Sequence, residues 1–203
     1  QCLITAADFR SQATSAAVSL GLPVIEVQQT GLDIDWYGEA AQIHFDPPAA
    51  DRDSEDIALV LHTSGSTARP KIVPLSGRNL LASAQNLRAS LALGPEDRCL
   101  SMMPLFHVGA LVDLLLAPLL AGGSVILTRA INTETFATMA RGRSPSWYQG
   151  VPTILRAITD SAQHFVCPSL RLVRSVSSSL PPELLHRAEA YFAVPVIEIY
   201  GMT

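Results

Sequence analysis

The chain has 203 residues, 48% hydrophobic and 16% charged, a balance that supplies apolar mass for one sizeable core or two and excludes a disordered chain. Its formal net charge of -4 offers nucleic acid polymers no general attraction, and it holds no basic block, zinc-finger spacing or RNA-binding signature. Cys2, Cys99 and Cys167 are odd in number and widely spaced, which argues against a disulfide framework or a CxxC metal site and suits a reducing cytoplasmic setting.

"QCLIT" reads as a short strand, "DFRSQATSAAVSLG" from Asp8 as a helix stopped by Gly21, and "PVIEV" as a second strand. That spacing predicts one right-handed parallel crossover. Residues 28–56 are less regular, and "FDPPAADRDSED" reads as a solvated linker whose acids fit no calcium loop. From Ile57 the alternation resumes. "IALVLHT" is a continuous apolar run, as expected of a strand buried on both faces. "KIVPLS" is a short strand across a polar turn. Ser76 then caps a helix whose Leu80, Ala84, Leu87 and Leu91 share one face.

"RCLSMMPL" is the next strand. The segment from Val108 to Leu127 has the length of a membrane span, but Asp113, Pro118 and Gly122-Gly123 interrupt it. It is therefore expected to be a buried helix followed by the strand "SVILT", with no membrane span. Thr133–Arg141 is helical, "SWYQGV" a strand and Thr153–Ser161 a helix. "LRLVRSVS" is a strand, "PPELLHRAEAYF" a helix with proline in its first turn, and "PVIEIY" the final strand. This order predicts an α/β fold with a mostly parallel sheet flanked by helices. The boundary falls near residue 50: residues 1–50 read as a partial α/β subdomain and linker, and 51–203 as the larger α/β subdomain. The chain begins with Gln1 and stops at "EIYGMT" without a polar tail, so it is expected to be a piece of a longer protein.

Open parallel sheets bind ligands beyond the carboxyl ends of their strands. Four polar segments fall there: "TSGSTARPK", "PLFHVG", "SVSSSLPP" and "YGMT". In the first, Gly65 permits a tight turn, hydroxyls and successive amides can form an anion nest, and Lys71 supplies a mobile positive charge. It is not a Walker motif, because Pro70 precedes Lys71 and a strand follows. By composition alone it fits an ordinary surface turn as well.

The complete string "TSGSTARPK" resembles the phosphate-binding signature of the adenylate-forming (AMP-binding) superfamily of acyl-CoA synthetases, luciferases and peptide-synthetase adenylation domains. "MPLFHVGAL", "SVSSSLPPEL" and "EIYGMT" resemble the companion motifs and come in the same order. The runs "RPKIVPLS", "WYQGVPTI" and "RSVSSSLPP" are most similar to oxalate–CoA ligase-like enzymes. The resemblance implies an incomplete large domain of that fold. It also implies a ligase that uses ATP and Mg2+ to activate a small carboxylic acid as an acyl-adenylate, then transfers it to coenzyme A. A carrier protein as acceptor, or a degenerate nucleotide-binding domain without catalysis, are the alternatives. The resemblance implies that Thr63, Ser64, Gly65, Ser66, Thr67 and Lys71 hold the β- and γ-phosphates. It implies that Thr203 donates to the α-phosphate, and that Tyr200, Gly201, Ser177 and Ser178 border adenine. It places Phe106, His107, Val151 and Thr153 around the acid. Lys71, His107 and Thr203 are thus the expected catalytic residues, and no metal ligand is assigned within the chain. Phe106-His107 stands where amino-acid-activating relatives carry Phe-Asp, so an α-amino acid is disfavoured. Ala68 and Ile72 replace glycines of the pattern and place the phosphate grip in question. The resemblance also implies that the magnesium glutamate, ribose aspartate, hinge, C-terminal domain and adenylation lysine lie beyond Thr203, so that this piece alone has little turnover.

Overall fold

The computed structural model describes residues 3–6, 11–30, 33–38, 53–63, 70–128, 130–161 and 167–201. The chain divides into two compact units, Gln1–Arg52 and Asp53–Thr203.

In the first unit, β1 (Leu3–Ala6) and β2 (Val24–Thr30) pair in parallel, joined through α1 (Gln12–Ser19). Ile25 and Ala17 are its buried apolar side chains among the described residues. The parallel pairing expected of that crossover is present. A third strand, β3 (Asp33–Gly38), pairs antiparallel with β2 inside the stretch read from sequence as irregular. "DIDWYG" alternates acid and apolar residues over only four positions, too short for the period to separate it from a loop.

The second unit is built on five parallel strands in the order β10-β9-β8-β6-β7. These are β6 (Arg98–Ser101), β7 (Ser124–Leu127), β8 (Trp147–Gly150), β9 (Leu172–Ser175) and β10 (Val196–Glu198). One register row runs Leu100, Tyr148, Val173, Val196 and carries one core, closed by α4 (Thr133–Arg143), α5 (Pro152–Asp160) and α6 (Pro182–Phe192). The row Cys99, Trp147, Leu172 carries a second core on the other face. It is closed by α2 (Gly77–Ser90), a π-helix (Gly109–Leu116) and α3 (Ala117–Leu120). Burying a Leu, Val or Phe side chain in such cores contributes roughly 1.5–3 kcal/mol.

The helix starts follow local chemistry. The Ser76 hydroxyl accepts from the Asn79 backbone amide at 3.2 Å, while the Asn79 side-chain Oδ1 accepts from the Ser76 backbone amide at 3.0 Å, a reciprocal capping box. Asn132 caps α4 by accepting from the Thr135 amide at 2.8 Å. The amino ends of three strands are tied by the residues just before them. Asp97, ahead of β6, accepts from Arg171 Nε at 2.8 Å and Nη2 at 2.9 Å, from the Ser146 hydroxyl at 2.7 Å and from the Gly94 amide at 3.0 Å. Ser146 precedes β8 and Arg171 precedes β9. Burial of Asp97 opposes its ionisation, but these donors outweigh it and lower the carboxyl to about 2.

Two expectations are corrected. "IALVLHT" forms β4 (Ile57–Thr63), but it does not join the parallel sheet: it pairs antiparallel with β5 (Lys71–Ser76) in a separate two-stranded sheet. Nor is it buried on both faces. Leu59 and Leu61 are half-buried, whereas Ile57 and Val60 are exposed. A hairpin strand packed on one side needs only alternate apolar residues, and an apolar run does not reveal which face is covered. The interrupted segment from Val108 to Leu127 forms the π-helix, α3 and β7, and no helix of the described residues is long and apolar enough to cross a membrane.

Candidate active site

Beyond the carboxyl ends of β6, β8, β9 and β10 lies a cavity of about 960 Å³ in the second unit. That volume is at the upper end of the range for small-ligand clefts. Its wall changes character along the strands. One row towards the carboxyl ends from the apolar row Cys99, Trp147, Leu172, the register aligns Ser101, Gln149 and Arg174 on the same face. Gln149 and Arg174 line the cavity.

Arg174 Nη1 donates to Gln149 Oε1 at 2.6 Å and to Asp113 Oδ2 at 3.4 Å. Asp113 comes from the π-helix, whose wider turn is a form often found at functional sites. Gly109, in the first turn of that helix, sits over this cluster: a Cβ there would lie 3.8 Å from Gln149 Nε2 and 4.0 Å from Asp113 Oδ2. Desolvation pushes the Asp113 carboxyl up and the Arg174 guanidinium down, each partly opposed by the charge of the other. Burial also raises the Tyr148 phenol and the Cys99 thiol, so both stay protonated.

Of the residues expected from sequence, His107, Val151, Ser177, Tyr200 and Gly201 line this one cavity. Tyr200 is 93% exposed, leaving its ring face open at the mouth. Ser177 holds a left-handed φ of 76°, a conformation seldom adopted by a non-glycine residue and often found at ligand-binding turns. The His107 ring packs at a tilt against that of Phe106, with centroids 4.5 Å apart and the planes 49° from parallel. Phe106, Thr153 and Ser178 are exposed and lie outside the described lining. Thr63 and Lys71 are register partners at the turn end of the β4–β5 hairpin, the last residue of β4 and the first of β5, and Lys71 is exposed. They too lie outside the described lining. Ser64, Gly65, Ser66, Thr67 and Thr203 fall outside the described residues, as does Ala68. Ile72 is an exposed residue of β5 opposite His62.

Asp113, Gln149 and Arg174 were not assigned to the site from sequence, where Asp113 figures only as an interruption of the apolar run from Val108 to Leu127. Each is a polar or charged residue interrupting a buried, largely apolar segment: "GALVDLLL", "WYQG" and "LVRS". That interruption is the available signal, since an unpaired polar group in such a segment is costly to bury.

A family model described as AMP-binding enzyme matches residues 2–203. The oxalate–CoA ligase of Arabidopsis thaliana is 43% identical over 154 residues, covering 73% of this chain and 30% of that protein. The sulfoacetate–CoA ligase of Cupriavidus necator is 38% identical over 146 residues, covering 72% of this chain and 29% of that protein. Among solved structures, a malonyl-CoA ligase in a ternary product complex with methylmalonyl-CoA and AMP is 29% identical with a TM-score of 0.78, covering 100% of this chain and 41% of that one. Apo MatB from Rhodopseudomonas palustris, 24% identical with a TM-score of 0.82 over 98% of this chain and 39% of its own, shares the fold. The chain thus spans about 30% of the length of the curated relatives it matches.

Proposed function

This chain belongs to the AMP-binding enzyme family, and from that premise we propose that its protein is an acid–thiol ligase of the cytoplasm. It joins a small carboxylic acid to ATP, releasing pyrophosphate and forming an acyl-adenylate. The thiol of coenzyme A then attacks the acyl carbon, and AMP leaves with the electrons of the broken C–O bond. Neither step needs a nucleophile from the protein, so the chain's work is positioning and charge compensation.

The observation that carries this reading is the single cavity that joins Tyr200 and Ser177 at its mouth to a polar cluster further along the strands. Tyr200 offers an open ring face for adenine. His107 and Val151 border the acid, and the imidazole favours an anionic substrate when protonated. Thr63 and Lys71 bracket the loop that holds the triphosphate, with Lys71 as a mobile counter-charge. Thr203 donates to the α-phosphate. Magnesium would accompany the ATP phosphates, and no ligand for it is assigned within this chain. The acids named in two relatives, oxalate and sulfoacetate, are two-carbon acids, which supports a small substrate here.

The test is pyrophosphate exchange into ATP by the full-length protein across a panel of carboxylic acids. Stimulation by one or a few small acids is expected, with Lys71→Ala raising KM for ATP at least tenfold. Exchange that no acid stimulates, or that Lys71→Ala leaves untouched, would overturn the assignment.

A further inference from the structure

We propose that Met103 is an oxidation site: a peroxide converts its thioether to the sulfoxide, and the new oxygen draws the Gln149 amide away from Asp113 and Arg174. The loss of turnover this causes rests on the ligase reading above; the modification itself does not.

Met103 follows β6, lines the cavity and is partly exposed there. It packs at the edge of the core that Cys99, Trp147 and Leu172 carry. The other methionines stand differently. Met102 also reaches the cavity, but it belongs to the opposite core and is only 2% exposed. Met139 packs from α4 against that same opposite core, away from the cavity lining. Met202 lies outside the described residues. A thioether needs no ionisation to be oxidised, so access of the oxidant to sulfur decides which one reacts, and that singles out Met103.

The sulfur faces a carboxamide of fixed orientation. Gln149 Oε1 accepts from Arg174 Nη1 at 2.6 Å, and a guanidinium can only donate. Gln149 Nε2 is therefore the atom turned towards Met103, 4.0 Å from Sδ. A thioether is a weak acceptor, so this donor is poorly matched. In the oxidation a sulfur lone pair attacks hydrogen peroxide, the O–O bond breaks and an S–O bond forms. Sulfur gives up two electrons, and the second peroxide oxygen leaves as water with both protons. The product is polar and carries a strong acceptor, set within the gap that separated sulfur from Nε2. Gln149 is fully buried and also hydrogen-bonds Asp113. Turning to the sulfoxide thus loosens its hold on both members of the Asp113–Arg174 pair.

The full-length protein is treated with hydrogen peroxide, and each methionine is followed by peptide mass mapping. Met103 is expected to oxidise roughly fivefold or more faster than Met102 and Met139. Acid-stimulated pyrophosphate exchange is expected to fall tenfold or more in step with the Met103 sulfoxide. It should return after treatment with methionine sulfoxide reductases of both epimer specificities. Met103→Leu is close in volume and has no sulfur. Under the same treatment it should keep most of its own untreated activity, which also separates the effect from cysteine oxidation. A crystal structure of the oxidised protein should place the sulfoxide oxygen within hydrogen-bonding distance of Gln149 Nε2. Met103 oxidising no faster than the other two would overturn the proposal, as would Met103→Leu losing activity like the wild type. A sulfoxide oxygen turned away from an unmoved Gln149 would do the same. Failure of the ligase reading is told apart by exchange that no acid stimulates. Tm is then the readout, expected to fall on oxidation in the wild type and not in Met103→Leu; equal shifts in the two would sink the proposal.

Discussion

Replacing Asp97 with asparagine keeps the shape of the side chain and removes its charge. The carboxylate joins the amino ends of three strands through four hydrogen bonds, two of them from one guanidinium. Its carboxyl is lowered from 3.8 to about 2. At about 1.4 kcal/mol per unit, that shift corresponds to roughly 2.5 kcal/mol of stability at neutral pH. Asp97 is well covered, at 11% side-chain exposure, but Arg171 is 39% exposed, so solvent screening reduces the expected loss to about 2 kcal/mol. Because the folded value lies below the unfolded one, this stability is fully present above the unfolded value and is lost as pH falls towards 2. Urea unfolding followed by the emission of buried Trp147 gives the measure. Asp97→Asn is expected to lose about 2 kcal/mol at pH 7 and roughly half that at pH 3. A deficit below about 0.5 kcal/mol at pH 7, or one that does not shrink at pH 3, would refute the reasoning.

Three further outcomes are expected. Gly123→Ala puts a Cβ 2.6 Å from the Asp97 carbonyl oxygen and 3.1 Å from that of Gly94, both backbone atoms that cannot step aside, so expression or thermal stability should fall sharply. Removing the cap with Ser76→Ala should cost about 1 kcal/mol in urea unfolding and leave the exchange reaction's substrate preference unchanged. Tyr200→Ala should weaken AMP binding by about 1–3 kcal/mol, the range for stacking a base on an aromatic ring, while Tyr200→Phe should bind AMP nearly as well as wild type.

Much of this architecture is legible in the chain because its signals are local. Ser76 with Asn79, the helical stripe of Ala84, Leu87 and Leu91, and the proline opening α6 each specify an element without reference to distant partners. The polar segments after strands are readable for the same reason, and three of the four follow strands of the parallel sheet. What escapes is whatever depends on pairing. An apolar run does not tell whether β4 sits inside a parallel sheet or in a two-stranded hairpin. Nothing local in "GALVDLLL" announces a π-helix over an α-helix. Asp113, Gln149 and Arg174 are separated by dozens of residues; parity along each strand says which residues share a face, but only the register aligns Gln149 with Arg174. A lone arginine in a strand reads equally as a solvent-facing residue until burial is known.

The measurement that bears most directly on the central claim is a crystal structure of the full-length protein soaked or grown with AMP. Nucleotide density in the cavity is expected, with adenine against the Tyr200 ring, the base edge at Ser177, and space left between the phosphate and Arg174 for a short acid. AMP bound elsewhere on the protein, with Tyr200 and Ser177 free of contact, would contradict the account.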